Sequence, residues 1–228
     1  MGNQKTMHHR EYGGILAVLE KKALCWLADH MPARVNSDHL TLLGLVAMFM
    51  AGGAFWLARW NRYALVAVVV ALALNWFGDS LDGTLARVRN CQRPRYGYYV
   101  DHVIDLVGTA ALLIGMALSG YMTHLIAAAL LAVYVMVAAE VFLATHVQQV
   151  FRLSCFGFGP TELRVVLAVG AIQLIRSPQV HIGGAEYLLF DVGGVVAITG
   201  LLAAFLWSAL RNTRRLYLAE PINPEGRA

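Results

Sequence analysis

Charge is what this chain has least of. Only 14% of its 228 residues are charged while 58% are hydrophobic, a balance that excludes an ordinary soluble domain and places the chain in a bilayer. Cysteine is scarce as well. Cys25, Cys91 and Cys155 lie far apart and match no metal-ligand spacing, so neither a disulfide framework nor a cysteine metal site is expected, and the thiols read as buried or inert. Met1 to Arg10 is polar and lacks the basic, apolar, small order of a cleaved signal peptide, which leaves targeting to the first spanning helix. No internal repeat, low-complexity segment or RNA- or DNA-binding motif is present. One membrane domain is therefore expected, and no nucleic-acid partner.

What the chain does have is long apolar runs. Against the roughly 20 residues needed to cross a bilayer, they predict six transmembrane helices near 38–58, 63–84, 97–119, 124–147, 161–176 and 190–210, the fifth of them short. Ahead of these, Ile15, Leu16, Leu19, Ala23, Trp26 and Leu27 recur at helical spacing, with Glu20, Lys21 and Lys22 on another face. That pattern predicts an amphipathic helix on the membrane surface, with an ordinary packed helix as the alternative, and Pro32 should end it. The expected fold is all-α and integral to the membrane: an N-terminal segment over 1–36, a six-helix domain over 37–217, and a loosely ordered tail over 218–228 containing Pro221 and Pro224.

Basic residues orient this bundle. With the amino terminus in the cytoplasm, that side receives all of the 18 Lys and Arg residues except Arg59, Arg62 and Arg176, a clear positive-inside bias. Both termini and the Arg-rich loop after the second span then face the cytoplasm, and the net charge of +4 is explained by topology and anionic headgroups.

Residues 79–105 break the apolar pattern. They carry Asp79, Asp82, Gly83, Ala86, Arg87, Gly97, Asp101 and Asp105, beside or within apolar runs. A charged side chain at the bilayer centre costs at least about 2.5 kcal/mol, so four carboxylates there need a compensating partner, and a divalent metal is the natural one. Asp79, Asp82 and Ala86 share one helical face, as do Gly97, Asp101 and Asp105 on the next helix. Should the two helices pack antiparallel, the acids converge near the cytoplasmic surface. Oxygen ligands without a matched His or Cys set argue for Mg2+ or Mn2+ over zinc. His102 is turned about 100° from Asp101 and reads as packing or polar support.

The pattern Asp-x2-Asp-Gly-x2-Ala-Arg-x9-Gly-x3-Asp-x3-Asp resembles the signature of the CDP-alcohol phosphotransferases, membrane enzymes of phospholipid synthesis, and fills every fixed position of it. The resemblance implies that Asp79, Asp82 and Asp101 bind a pair of metal ions, with Asp105 as a further ligand and general base. It implies that Gly83, Ala86, Arg87 and Gly97 shape the site for a CDP-linked donor, and that the enzyme is a homodimer releasing CMP as an alcohol hydroxyl takes the substituted phosphate. Glycine leaves room for a diphosphate, and Arg87 offers a planar donor fork to phosphate or to a carboxylate. Close helix packing is the plainer reading of either glycine taken singly. Ser37-Asp38-His39-Leu40-Thr41 is similar to the family segment opening the first span, with Ser37 where Pro is usual; Asp38 and Thr41 there cap the helix or touch the nucleotide, and capping is preferred.

The acceptor is less constrained. A phosphorylated alcohol calls for extra cations, for which Arg152 and Arg164 are available, whereas a cationic headgroup calls for carboxylates and aromatic faces, for which Glu140, Glu162, Trp76, Tyr98 and Tyr99 are available. Gly159-Pro160-Thr161-Glu162 looks like an aminoalcohol-branch segment, but also makes a sound helix start. Glu140, inside an apolar helix, should face a cavity or partner, and Asp191 at a span end needs no special role. The compact, bacterial-sized chain resembles users of CDP-diacylglycerol in a bacterial inner membrane; transfer from CDP-choline or CDP-ethanolamine to diacylglycerol is the alternative. A divalent-metal transporter and a membrane scaffold are the rival classes.

Overall fold

The computed structural model describes residues 17–148 and 160–220. The polar amino terminus with Ile15 and Leu16, the side chain of Leu19, Arg152, Cys155, Gly159 and the tail beyond residue 220 lie outside what is described. The elements in chain order are α1 (Ala17–His30), α2 (Ser37–Ala58), α3 (Ala64–Val88), α4 (Pro94–Ser119), α5 (His124–Gln148), α6 (Pro160–Arg176), a hairpin of β1 (Gln179–Ile182) and β2 (Ala185–Leu188), and α7 (Leu189–Ala219).

Among the described residues five helices, α2, α3, α4, α5 and α7, are long and apolar enough to cross a membrane. The protein is an integral membrane protein. The remaining helix of the predicted set, α6, has 17 residues, about 26 Å at ~1.5 Å per residue, and carries Glu162, Arg164 and Arg176. Large apolar side chains such as Phe49, Leu125, Leu143, Val196 and Leu210 are exposed on the outer faces, as lipid contact requires. The helical bundle agrees with the expected all-α fold and carries one addition, the hairpin between α6 and α7. Its signal is Gly183-Gly184 between β-branched and aromatic residues, and both glycines have positive φ, 61° and 85°, which suits a two-residue turn.

The core is built on α2, which packs most extensively on α3 and α4. Glycine permits these contacts at two crossings. A Cβ on Gly78 would lie 2.5 Å from the Leu40 carbonyl oxygen, and one on Gly115 would lie 2.0 Å from that of Gly52, so any side chain would force the helices apart. Around these crossings Phe55, Leu65, Val68, Leu72, Leu113 and Met116 are buried. Around α2, α1 and α6 pack on α3, α5 packs on α4, and α7 packs on α5, and Ala127, Ala171, Leu174 and Phe190 of α5, α6 and α7 join the same buried cluster.

Local chemistry sets the ends of these elements. Asn36 caps α2 with a capping box to His39, which corrects the expectation that Asp38 or Thr41 would do so: Asp38 pairs with Arg93 and Thr41 with Asp82. α3 continues past the predicted 84 to Val88, and Asn90 (φ 54°) follows it in the left-handed region. Pro94 opens α4 earlier than predicted, with no amide to leave unsatisfied, and Gly120 (φ 80°) closes it. The start of α6 at Pro160 matches the helix-start reading of that segment. Glu140 meets the partner its position demanded: it accepts from Ser208 (2.9 Å) and Asn212 (2.8 Å), fastening α5 to α7. Asp191 accepts from the Thr123 amide at 2.7 Å, where the chain enters α5.

Candidate active site

The four signature acids come together, but not by direct packing of their two helices. α3 and α4 each pack mainly on α2, and α2 supplies the third wall. Asp79 and Asp82 from α3 and Asp101 and Asp105 from α4 line one recess with Thr41 and Gly44 of α2, Asn75 and Ile104. The Gly44–Gly78 crossing lies next to Asp79 and one turn from Asp82 and fixes the spacing of these walls.

Each acid has a different setting. Asp82 is buried, and Thr41 Oγ1 donates to its Oδ2 at 2.7 Å while its Oδ1 accepts from the Gly83 amide. Ser37 Oγ donates to the Asp82 carbonyl at 2.9 Å, so the first turn of α2 holds both ends of this residue. Asp79 Oδ2 accepts from Arg164 Nη2 at 2.7 Å, and the Arg164 side chain is 15% exposed. Asp101 is half-buried and Asp105 exposed to the recess.

Arg164 and Asn75 extend the site beyond the signature. Arg164 Nε donates to Asn75 Oδ1 at 2.7 Å, and buried Asn75 passes its own Nδ2–H to the Gly44 carbonyl at 2.9 Å. Three helices, α2, α3 and α6, are thereby joined to one carboxylate. Sequence reasoning offered Arg164 only as a contact for an acceptor and missed Asn75, whose signal was an amide inside an apolar run.

The glycines and arginine of the signature sit beside the recess, not in its wall. A Cβ at Gly97 would meet nothing within 4 Å, and one at Gly83 would meet the Arg87 guanidinium at 3.6 Å. Neither glycine serves helix packing among the described residues. Arg87 is exposed and donates to Thr84 Oγ1 at 2.9 Å, and Ala86 is half-buried. On the same rim, Arg89 donates to the carbonyls of Met31, Pro32 and Val35, locking the α1–α2 connector, while Arg93 pairs with Asp38 and lies over Tyr96. The hydrogen bond to Asp38 raises the pKa of the Arg93 guanidinium further above its ordinary value.

Other candidates lie elsewhere. Trp76 packs in the cluster beneath α1. His102 donates from Nδ1 to the Tyr98 carbonyl at 2.6 Å and meets Phe142 edge-on, the packing and polar-support role expected of it.

The donor chemistry of the recess suits a hard divalent cation. Its ligands are carboxylate oxygens with a hydroxyl beside them, and the single guanidinium bonded to Asp79 does not balance four acids. Among the described residues no three His, Cys, Asp or Glu side chains already form a group that could hold an ion; Asp79, though it lines the recess, has its Oδ2 engaged by Arg164.

The fold and site define an integral membrane helical bundle with an acid-lined recess, and the comparisons give it a family. The model of the CDP-alcohol phosphatidyltransferase family, whose members transfer substituted phosphate groups, matches residues 35–210, and this chain belongs to that family. It is also similar to an archaetidylinositol phosphate synthase of Pyrococcus horikoshii, 31% identical over 86 residues, which are 38% of this chain and 43% of that relative. The match thus spans less than half of the relative's length.

Proposed function

We propose that this protein transfers a substituted phosphate group from a CDP-linked donor, CDP-diacylglycerol in the first instance, to an alcohol hydroxyl, with release of CMP. The observation that carries the reading is the convergence of Asp79, Asp82, Asp101 and Asp105 on one recess in a chain of this family. Those four residues would hold Mg2+ or Mn2+, as two ions, which when bound offset negative charge developing on the phosphoryl oxygens. The acceptor oxygen bonds to the β-phosphorus, the bond from that phosphorus to the CMP oxygen breaks, and the hydroxyl proton passes to Asp105, the acid exposed to the recess. Gly83, Ala86, Arg87 and Gly97 border the space for the cytidine diphosphate, and the open space at Gly97 and the Arg87 guanidinium beside Gly83 support that role.

A phosphorylated acceptor is favoured over a cationic one. Arg164 reaches the recess from α6, whereas Glu140 is taken up by Ser208 and Asn212 and Trp76 by α1 packing. The relative's name, archaetidylinositol phosphate synthase, points the same way. The proposal includes a cytoplasm-facing site, α1 on the membrane surface with Trp26 toward lipid, α6 as a sixth span, and a homodimer.

The test uses purified protein in lipid with Mg2+. CDP-diacylglycerol is supplied with a panel including inositol phosphate, glycerol phosphate and unphosphorylated alcohols; CDP-choline and CDP-ethanolamine are supplied separately with diacylglycerol. Metal-dependent CMP release with a phosphorylated alcohol and a matching lipid product supports the proposal. Release only with CDP-choline or CDP-ethanolamine reverses its direction, and divalent-metal flux without any release replaces it with transport.

A further inference from the structure

The hairpin between α6 and α7 has two unlike faces. Its register pairs Val180 with Tyr187, Ile182 with Ala185, and His181 with Glu186, and directly paired residues share a face. One face therefore carries Val180, Tyr187, Ile182 and Ala185, and the other the His181–Glu186 pair at 2.8 Å together with Gln179 and, at the base beside α7, the half-buried Leu188. Both members of that pair are exposed, while Ile182 and Tyr187 are 51% and 50% exposed. A strand face this apolar, left open beside a wet one, has the form of an element lying at a boundary.

Its place in the fold identifies that boundary. β2 ends at Leu188 and α7, one of the apolar spanning helices, begins at Leu189 with no residue between. The Leu189 amide donates to the Pro178 carbonyl at 2.9 Å, stapling the base of the hairpin to the mouth of the helix. Asp191, one turn in, bonds Thr123 where α5 begins, so two spans enter the membrane at this level. The α2–α3 turn lies on the same side and exposes Trp60 and Tyr63 beside Arg59 and Arg62, the composition of an interfacial aromatic belt. The hairpin cannot move away from the lipid surface that α7 enters.

We infer that the Val180–Tyr187 face of the hairpin is seated in the headgroup and upper acyl region of the leaflet opposite the acid-lined recess, with phospholipid as its partner. Such seating also bears on α6. At about 26 Å this helix is shorter than the ~30 Å hydrocarbon core, and an anchored hairpin at its far end makes up the missing depth while its other end holds Arg164 against Asp79.

The experiment is collision-accessibility EPR. Single nitroxide labels go at positions 181, 182, 186 and 187 in a background with Cys25, Cys91 and Cys155 changed to Ser, in vesicles of phosphatidylethanolamine and phosphatidylglycerol. Labels at 182 and 187 should relax more with oxygen than with a water-soluble nickel chelate, and labels at 181 and 186 should do the reverse. Four nickel-accessible labels would overturn the inference by placing the hairpin in water. Shielding of 182 and 187 from both reagents would overturn it in favour of a protein cover such as a second copy. A label-free check compares Tyr187→Trp with the unchanged protein in vesicles of brominated lipid: an added, quenched emission component supports the seating, and an added unquenched one refutes it.

Discussion

At the residue scale, the bond between Arg164 and Asp79 matters most, because it puts a fixed cation where a metal ion is proposed to bind. A guanidinium 2.7 Å from Asp79 Oδ2 competes for that oxygen and repels an incoming divalent ion. Arg164→Gln should therefore bind Mn2+ more tightly, by about tenfold, or ~1.4 kcal/mol, in an EPR titration, while the KM for a phosphorylated acceptor rises. Weaker Mn2+ binding would show instead that Arg164 organises the ligands more than it opposes the ion. Asp105 lies across the recess and its role is separable. Asp105→Asn keeps the shape and removes the proton acceptor, so CDP-donor binding should persist while phosphotransfer falls by about 10²- to 10⁴-fold; turnover at the normal rate would remove Asp105 from the chemistry.

At the scale of helices, the glycines divide into two kinds that look alike in sequence. Gly115 sits against the backbone of Gly52, with a built Cβ 2.0 Å from its carbonyl oxygen, whereas Gly97 faces open space. Gly115→Ala should lower the thermal midpoint in detergent, by about 1–3 kcal/mol of overpacking. Gly97→Ala should leave the midpoint unchanged and raise the KM for the CDP donor, and a destabilised Gly97→Ala would mean that the open face is a packing surface. The same contrast explains what could be read from the chain beforehand. Apolar runs announced the long helices because lipid leaves few alternatives, and i, i+3 and i+4 spacing put the acids on common faces. Asn75 and the Gly44–Gly78 and Gly52–Gly115 crossings were invisible because their meaning lies in which helix stands opposite. At the start of α2, Asp38 and Thr41 read as caps or nucleotide contacts, yet it is Thr41 and Ser37 that hold Asp82. The cap at Asn36 was missed because Asp38 and Thr41, equally good capping types, stand just beyond it and are engaged by Arg93 and Asp82 instead. The hairpin was overlooked because its strands are four residues each, between runs that drew the eye as spans.

At the scale of the whole molecule, alternating helices send the chain to opposite membrane sides. The acid-lined recess, the 89–93 turn and the end of α7 share one side, where Arg215 bonds Gln148. The α4–α5 turn, the hairpin and the start of α7 share the other, where Thr123 bonds Asp191. Among the described Lys and Arg residues, those on the hairpin side by the proposed topology are Arg59, Arg62 and Arg176, and a surplus on the recess side would hold that side in the cytoplasm during insertion. A nucleotide-linked donor would then reach the recess without crossing the bilayer. Cys91 provides a native reporter, since it is exposed on the turn between α3 and α4, and His181 lies on the hairpin's polar face. In right-side-out vesicles of a Cys25→Ser, Cys155→Ser background, a membrane-impermeant maleimide should label Cys91 only after permeabilisation. With Cys91 also replaced, a thiol introduced by His181→Cys should label at once. The opposite pattern would invert the topology, place the recess outside the cell, and require a CDP-linked donor on that side.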